Sequence, residues 1–295
     1  MTITQLQYFQ AVCQNGNIKT AAESLHVSQP AISNSLRDLE QELQLNLLSR
    51  TPKGTFPTED GKTFLKCVND FLFGFERLGE VAKDISGAHN SLRCGASPML
   101  GSCMLPEIYS TFRQKYPEID IDLSTEEGLY PLYDKLSKDE LDVLLVPGLN
   151  IPDTMNYHTM CNERLLFCVH NSHPLAERVT LSPKEIADTP LVILPLDYLQ
   201  YRLVHNLFEE YGMEPNILLC TKQLSMIRNF VIAGIAGGFL YESYIERNFQ
   251  PEELAVFDIG MPSIPFSVVW KKDGYLFSST RKFIECIKDL DLDKE

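Results

Sequence analysis

The sequence has no apolar run near the eighteen or so residues that cross a bilayer, and no basic-then-apolar leader at its start. A cytoplasmic protein without membrane contact is therefore expected. The patterns that carry catalysis are missing too. There is no GxGxxG or GxxxxGKS/T phosphate loop, no HExxH zinc pair and no GxSxG nucleophile elbow. The glycine-rich turn at 234–238 follows a helical pattern rather than a strand, so it does not read as a nucleotide loop. No catalytic residue, metal or cofactor is expected.

Eight cysteines (13, 67, 94, 103, 161, 168, 220 and 286) form no CxxC pair and no Cys/His cluster at zinc spacing. They read as reduced and largely core-filling, with Cys13, Cys94, Cys168 and Cys220 inside apolar runs. His158, His170 and His173 lie close in sequence and read as surface or strand-end residues. Positive charge is scarce, at 26 basic against 40 acidic residues, a net of −14. Met1 to Thr58 is neutral, because Lys19, Arg37, Arg50 and Lys53 balance Glu23, Asp38, Glu40 and Glu42. The acidity thus belongs to the rest of the chain and repels nucleic acid there. A neutral N-terminal region grips DNA weakly on its own, and dimerisation becomes a requirement.

What is present is ordinary for a soluble globular protein, 44% hydrophobic and 22% charged over 295 residues, enough for two or three cores. The most informative stretch is Thr20 to Glu42. Ile32, Leu36, Leu39 and Leu43 recur as one stripe of an amphipathic helix. The opposite face carries Pro30, Asn34, Arg37 and Gln41, with Gln29 and Ser33 on its flank. Ser28 is placed as N-cap, and Pro30 fits the first turn, where its missing N–H has no helical partner. Ala21, Ala22 and Leu25 before the break suit a helix crossing closely over another. The unit reads as a helix-turn-helix whose second helix enters a major groove. A solvated amphipathic helix is the bland alternative.

Leu6, Phe9 and Val12 give a preceding helix, capped by Thr2 or Thr4. After Leu43 the pattern becomes a hairpin, Leu45–Arg50 and Thr55–Pro57 around a turn at Pro52-Lys53-Gly54. Arg50 at its base and Lys53 at its tip suit phosphate contacts. Thr58 then caps a long helix carrying Phe64, Val68, Phe71, Phe75, Leu78, Ala82 and Ile85 at alternating spacings of four and three. Such a heptad seam, aromatic at three positions, calls for a partner helix, with packing against the chain's own domain as the alternative. The helix ends around Ser86-Gly87. From Ser91 onward short apolar strands alternate with amphipathic helices, among them one over Leu100–Tyr116, and a loop is expected near Cys161. Repeated βα units imply parallel sheets, in two subdomains. Ligands of open α/β sheets sit beyond strand ends, near helix starts. Ser97, Pro98 and Met99 hold such a place, with Thr125, Pro147, Pro195 and Thr221.

From Leu6 to Gly61 the chain resembles the N-terminal domain of the LysR-type transcriptional regulators. The matching residues include Thr20-Ala21-Ala22, Leu25, Val27 through Ser33, Leu36, Leu39-Glu40, Leu43, Leu47, Arg50, Thr58 and Gly61. Leu105-Pro106, His173-Pro174-Leu175-Ala176 and Val231–Gly237 extend the likeness. Asn34 stands where many members carry Arg, so an operator sequence is not inherited. Asn17, Gln44-Leu45-Asn46 and Leu48 depart from the pattern without disturbing the fold.

The resemblance implies a winged helix-turn-helix over 1–58, a dimerisation helix and hinge over 59–90, and an effector-binding domain over 91–295. That last domain is periplasmic-binding-protein-like, with subdomain I at 91–161 and 267–295 and subdomain II at 162–266. The expected DNA contacts are Thr20, Ser28, Gln29, Pro30, Ser33, Asn34, Arg37, Arg50 and Lys53. Phe64, Val68, Phe71, Phe75 and Leu78 are the expected dimer seam. The implied function is a regulator that binds an interrupted palindrome on double-stranded DNA as a homodimer or homotetramer. It answers to a small organic acid between the subdomains, and RNA polymerase is a further partner the family allows. Two alternatives stay open: a redox-sensing regulator using its cysteines, and a ligand-binding protein with weak DNA affinity.

Overall fold

In the computed structural model, which describes residues 1–52, 54–125 and 128–290, the chain divides into two units, 1–89 and 90–295. The first begins at a capping box. Thr2 Oγ1 accepts from Gln5 N and Gln5 Oε1 accepts from Thr2 N, which starts α1 (Ile3–Asn15). Gly16, left-handed at φ 64°, ends it. Asn17 caps α2 (Ile18–Ser24) and Ser28 caps α3 (Gln29–Leu43). Ile32, Leu36 and Leu39 of α3 are buried with Leu6, Phe9, Val12, Ala21 and Ala22. The alanines, at most 4% exposed, are the small contact the crossing helices need.

The hairpin pairs β1 (Leu48–Thr51) with β2 (Gly54–Pro57). It starts later than the expected Leu45 because Leu47 N and Leu48 N are both tied to the Glu40 carboxylate. Thr58 caps α4 (Glu59–Ile85), accepting from Gly61 N at 3.0 Å and donating to Asn46 O at 2.7 Å. A Cβ on Gly61 would lie 2.0 Å from the Leu47 carbonyl oxygen, so only glycine lets α4 start against the wing.

The second unit holds two five-stranded sheets. The first orders β4 (Asp120–Thr125), β3 (Ser91–Ala96), β5 (Val143–Pro147), β12 (Ile264–Lys271) and β6 (Met155–Glu163). The second orders β11 (Leu254–Phe257), β7 (Leu165–His170), β10 (Gly237–Tyr241), β8 (Leu191–Ile193) and β9 (Ile217–Cys220). Both are mixed rather than parallel. In the first sheet β3 pairs in parallel with β4 and β5, and β12 is antiparallel to β5 and β6. In the second β8 is parallel to β9 and β10, and β7 is antiparallel to β10 and β11. The chain crosses between sheets twice, from β6 into β7 and from β11 into β12, and each crossing adds antiparallel strands.

β6 lies where a loop was expected near Cys161. As an edge strand it exposes Tyr157 and Asn162 and buries Met155 and Met160, so its sequence lacks a continuous apolar run. The helices are α5 (Pro98–Cys103), α6 (Leu105–Lys115), α7 (Leu129–Ser137), α8 (Pro183–Ile186), α9 (Leu199–Glu210), α10 (Leu224–Ile232), α11 (Glu242–Asn248) and α12 (Ser278–Lys288). The single helix expected over Leu100–Tyr116 is two, broken at Met104, because Pro106 in the first turn of α6 supplies no N–H. The capping box at Ser182 and Glu185 opens α8 as its sequence implies.

Candidate nucleic-acid interface and ligand cleft

Burial of Ile32, Leu36 and Leu39 turns the other face of α3 to water. Gln29, Pro30, Asn34 and Arg37 are exposed there and Ser33 is half-buried. Ser28 Oγ accepts from Ala31 N at a long 3.4 Å. Arg37 has two acidic neighbours in sequence, and among the described residues it pairs with neither. Glu40 is occupied by the Leu47 and Leu48 amides, which leaves the guanidinium facing solvent. Thr20 is exposed on α2. Arg50, opposite Thr55 in the hairpin, is also exposed, and Thr55 N donates to Gly16 O at 2.8 Å, fixing the wing to the end of α1. Lys53 lies outside the described residues.

The expected seam of α4 divides in two. Phe64 is half-buried, its ring centroid 5.6 Å from that of Phe9, and Val68 is 2% exposed. These two residues, expected to meet a partner, pack instead in the core of their own unit together with Leu72. The physical reason is that the first turns of α4 run beside α1 and are needed to cover it. Further along, Phe71 is 51%, Phe75 45% and Leu78 64% exposed.

In the second unit a small, partly open cleft lies between the sheets. The first sheet's side supplies Ser97, Pro98, Gly128, Leu129 and Pro147, and the second supplies Leu194, Asp197, Tyr198, Leu199, Gln200 and Tyr241. Three expected residues, Ser97, Pro98 and Pro147, meet there. Thr125, Pro195 and Thr221 are not among the residues lining this cleft; Thr125 is exposed at the end of β4 and Thr221 is buried. The Met99 side chain lies outside the described residues.

Ser97 Oγ is buried and finds no partner among the described residues. The Gln200 amide is fully used. Its Oε1 accepts from Leu194 N at 3.1 Å and its Nε2 donates to Phe239 O, so it braces β8, α9 and β10 rather than reaching for a ligand. Burial pushes the Tyr241 phenol far up, and it stays protonated. Gly128, at φ 89°, faces Asp197 so closely that a Cβ there would lie 3.8 Å from the Asp197 Cβ.

Asp197 to Gln200 and Gly128-Leu129 were missed in the sequence, although they follow the rule that selected Ser97. Each opens a helix directly after a strand-end loop. No group of three metal-binding side chains occurs among the described residues, and no helix is long and apolar enough to cross a membrane. His173 caps a short turn, with its Nδ1 accepting from Leu175 N. All eight cysteines are free; five are buried, and burial raises Cys94 and Cys168 to about 12. Cys67 and Cys220 are exposed. Cys220 was expected in the core, but β9 is an edge strand with one face to water.

Residues 3–62 match the family model described as bacterial regulatory helix-turn-helix protein, lysR family, and residues 86–291 match that of the LysR substrate binding domain. The uncharacterized HTH-type transcriptional regulator YwbI of Bacillus subtilis is 29% identical over 98% of this chain and 96% of its own length. A probable RuBisCO transcriptional regulator of Trieres chinensis is 25% identical over 88% of this chain and 86% of its own. The fold is similar to that of full-length CbnR, solved in complex with its target DNA. The TM-score is 0.71 at 22% identity, covering 98% of this chain and 99% of that one.

Proposed function

This chain belongs to the LysR family of DNA-binding transcriptional regulators, and we propose that it reads an interrupted palindrome as a dimer or tetramer in the cytoplasm. The working divisions are 1–58 for DNA, 59–90 for dimerisation and 91–295 for the effector. Within the last, 91–161 with 267–295 forms one subdomain and 162–266 the other. One observation carries the reading. The apolar stripe of α3 is buried while Gln29, Pro30, Asn34 and Arg37 stand in water without partners. A pair of such helices about 34 Å apart enters successive major grooves. That CbnR was solved on its target DNA supports this use of the fold.

In this arrangement Gln29 pairs with adenine N6 and N7 and Pro30 touches a thymine methyl. Ser33, Asn34 and Arg37 bond base edges, and Thr20, Ser28, Arg50 and Lys53 hold phosphates. Phe71, Phe75 and Leu78 cover one another across the dimer. A small carboxylate-bearing metabolite in the cleft at Ser97, Pro98 and Pro147 is the signal.

Binding to the protein's own promoter region, followed by footprinting and a salt titration, tests the DNA reading. Gln29→Ala should cost about 1–3 kcal/mol on the true site and relax one position of the motif. Arg50→Ala or Lys53→Ala should weaken all sequences alike and reduce the salt slope by about one. If neither class of substitution changes the footprint, α3 is not the reader.

A further inference from the structure

Among the described residues the effector cleft is lined by no Lys, Arg or His, and the one carboxylate lining it is that of Asp197. That is an unusual electrostatic setting for a simple organic acid. An anion held only by neutral groups and facing a fixed negative charge is repelled as well as attracted. Yet the groups beside Asp197 favour a carboxylate. Two helices of full length, α7 and α9, begin there through Gly128-Leu129 and Tyr198-Leu199-Gln200, and neither N-cap side chain occupies its helix's free N–H groups. Ser97 Oγ, buried and without a protein partner, lines the same space.

Asp197 is exposed and makes no ion pair or hydrogen bond among the described residues. Gly128 brings the start of α7 up to it, so the anion-favouring and cation-favouring groups lie side by side, as the two charges on one Cα require. The rest of the wall is largely apolar, at Leu129, Pro147, Leu194 and Leu199. A ligand that matches all three features carries both charges and an apolar body.

Accepting the cleft as the effector site, we infer that its ligand is a small apolar α-amino acid bound as the zwitterion. Its carboxylate lies on the Ser97 hydroxyl and the N–H groups opening α7 and α9, and its ammonium lies on Asp197. The net charge of such a ligand is zero, which is why the cleft needs no cationic side chain. Gln200 fixes the start of α9 but spends both ends of its amide on the backbone, so it positions the site without touching the ligand.

Calorimetry on the full-length protein tests this with the apolar L-amino acids from alanine to phenylalanine, isocaproate, isopentylamine and succinate as probes. At least one amino acid should bind about tenfold or more tighter than isocaproate or isopentylamine, which each lack one charge, and tighter than succinate. Asp197→Asn, at an exposed side chain with no structural bonds, should remove most of the preference over isocaproate. Ser97→Ala should weaken amino acid and isocaproate alike.

The inference is overturned if no apolar amino acid binds, if isocaproate or succinate binds more tightly, or if Asp197→Asn leaves the preference intact. A different result sinks the cleft itself. If a probe binds and neither Asp197→Asn nor Ser97→Ala changes its affinity, the effector site lies elsewhere.

Discussion

On α3 the unpaired polar groups stand in water, whereas in the cleft of the second unit the unpaired hydroxyl of Ser97 is buried. The first arrangement costs nothing until DNA arrives, because water satisfies Gln29, Asn34 and Arg37. The second costs up to about 1 kcal/mol, the low end for an unpaired buried group, because this hydroxyl borders an open cleft. A surface that waits for a partner in solvent is indistinguishable, by energy, from any solvated helix face. A buried orphan group is different, since folding alone gives no reason to keep it. The two proposed sites therefore carry different physical signs, one of pattern and one of hydrogen-bond satisfaction.

The apolar half of α4 lets the first region be broken without touching the second. Phe71→Asp with Phe75→Asp places two charges on positions that are about half-exposed in the single chain, so the unit should still fold. The pair should yield a monomer in sedimentation. DNA affinity on a two-half-site operator should fall about 10²–10⁴-fold, because one half-site no longer raises the effective concentration of the other. Ligand affinity in the cleft should hold. An unchanged oligomer would place the dimer contact elsewhere, and a matching loss of ligand binding would break the separation of the two regions. The same double change at Phe64 and Val68 would unfold the unit instead, since those side chains belong to its core.

How much of this was legible in the sequence follows from where each site's residues sit along the chain. The proposed DNA surface comes from one helix and one hairpin, so spacing alone set the buried stripe against the polar face. The caps at Thr2, Ser28, Thr58 and Ser182 were legible for the same reason, because capping is a contact over three residues. The cleft gathers residues from 97 to 241. The strand-end rule found Ser97, Pro98 and Pro147, but periodicity carries no information on which strand ends face one another. Hence Thr125, Pro195 and Thr221 were grouped with Ser97 while Asp197 and Gly128 were overlooked. The seam of α4 shows the same limit. Heptad spacing continues through Val68 and Phe71 without marking where the helix leaves its own core. β6 was hidden because this edge strand mixes buried with solvated residues and carries Asn156, His158, Asn162 and Glu163 among its apolar ones.

A second test sharpens the contrast in stability. Ser97→Ala removes a hydroxyl that has no partner in the protein, so the ligand-free chain should be as stable or more stable, by up to about 1 kcal/mol. Gln29→Ala removes a hydrated group from an exposed first turn and should change stability by no more than about 0.5 kcal/mol. Thermal unfolding of the ligand-free protein separates the two. A clear loss of stability from Ser97→Ala would mean that this hydroxyl serves the fold, and the buried orphan would lose its meaning as a sign of ligand.

The smallest expected effect lies in the caps of α3 and α4, which look alike in sequence and differ in geometry. Thr58 Oγ1 makes two good bonds, accepting from Gly61 N at 3.0 Å and donating to Asn46 O at 2.7 Å. Ser28 Oγ makes one long bond of 3.4 Å to Ala31 N and is otherwise exposed. Thr58→Ala should therefore cost about 1–2 kcal/mol, and Ser28→Ala about 0.5 kcal/mol, the low end for a cap. Hydrogen exchange at the first amides of α3 and α4 resolves the two helices separately. DNA binding should rank them the other way. A hydroxyl held loosely by its own helix is free to meet a phosphate, so Ser28→Ala should weaken binding to every sequence, while Thr58→Ala leaves affinity intact well below the unfolding temperature. Equal exchange costs at the two caps, or intact DNA affinity in Ser28→Ala, would show that the long bond at Ser28 is a plain helix cap and that the start of α3 does not touch the DNA backbone.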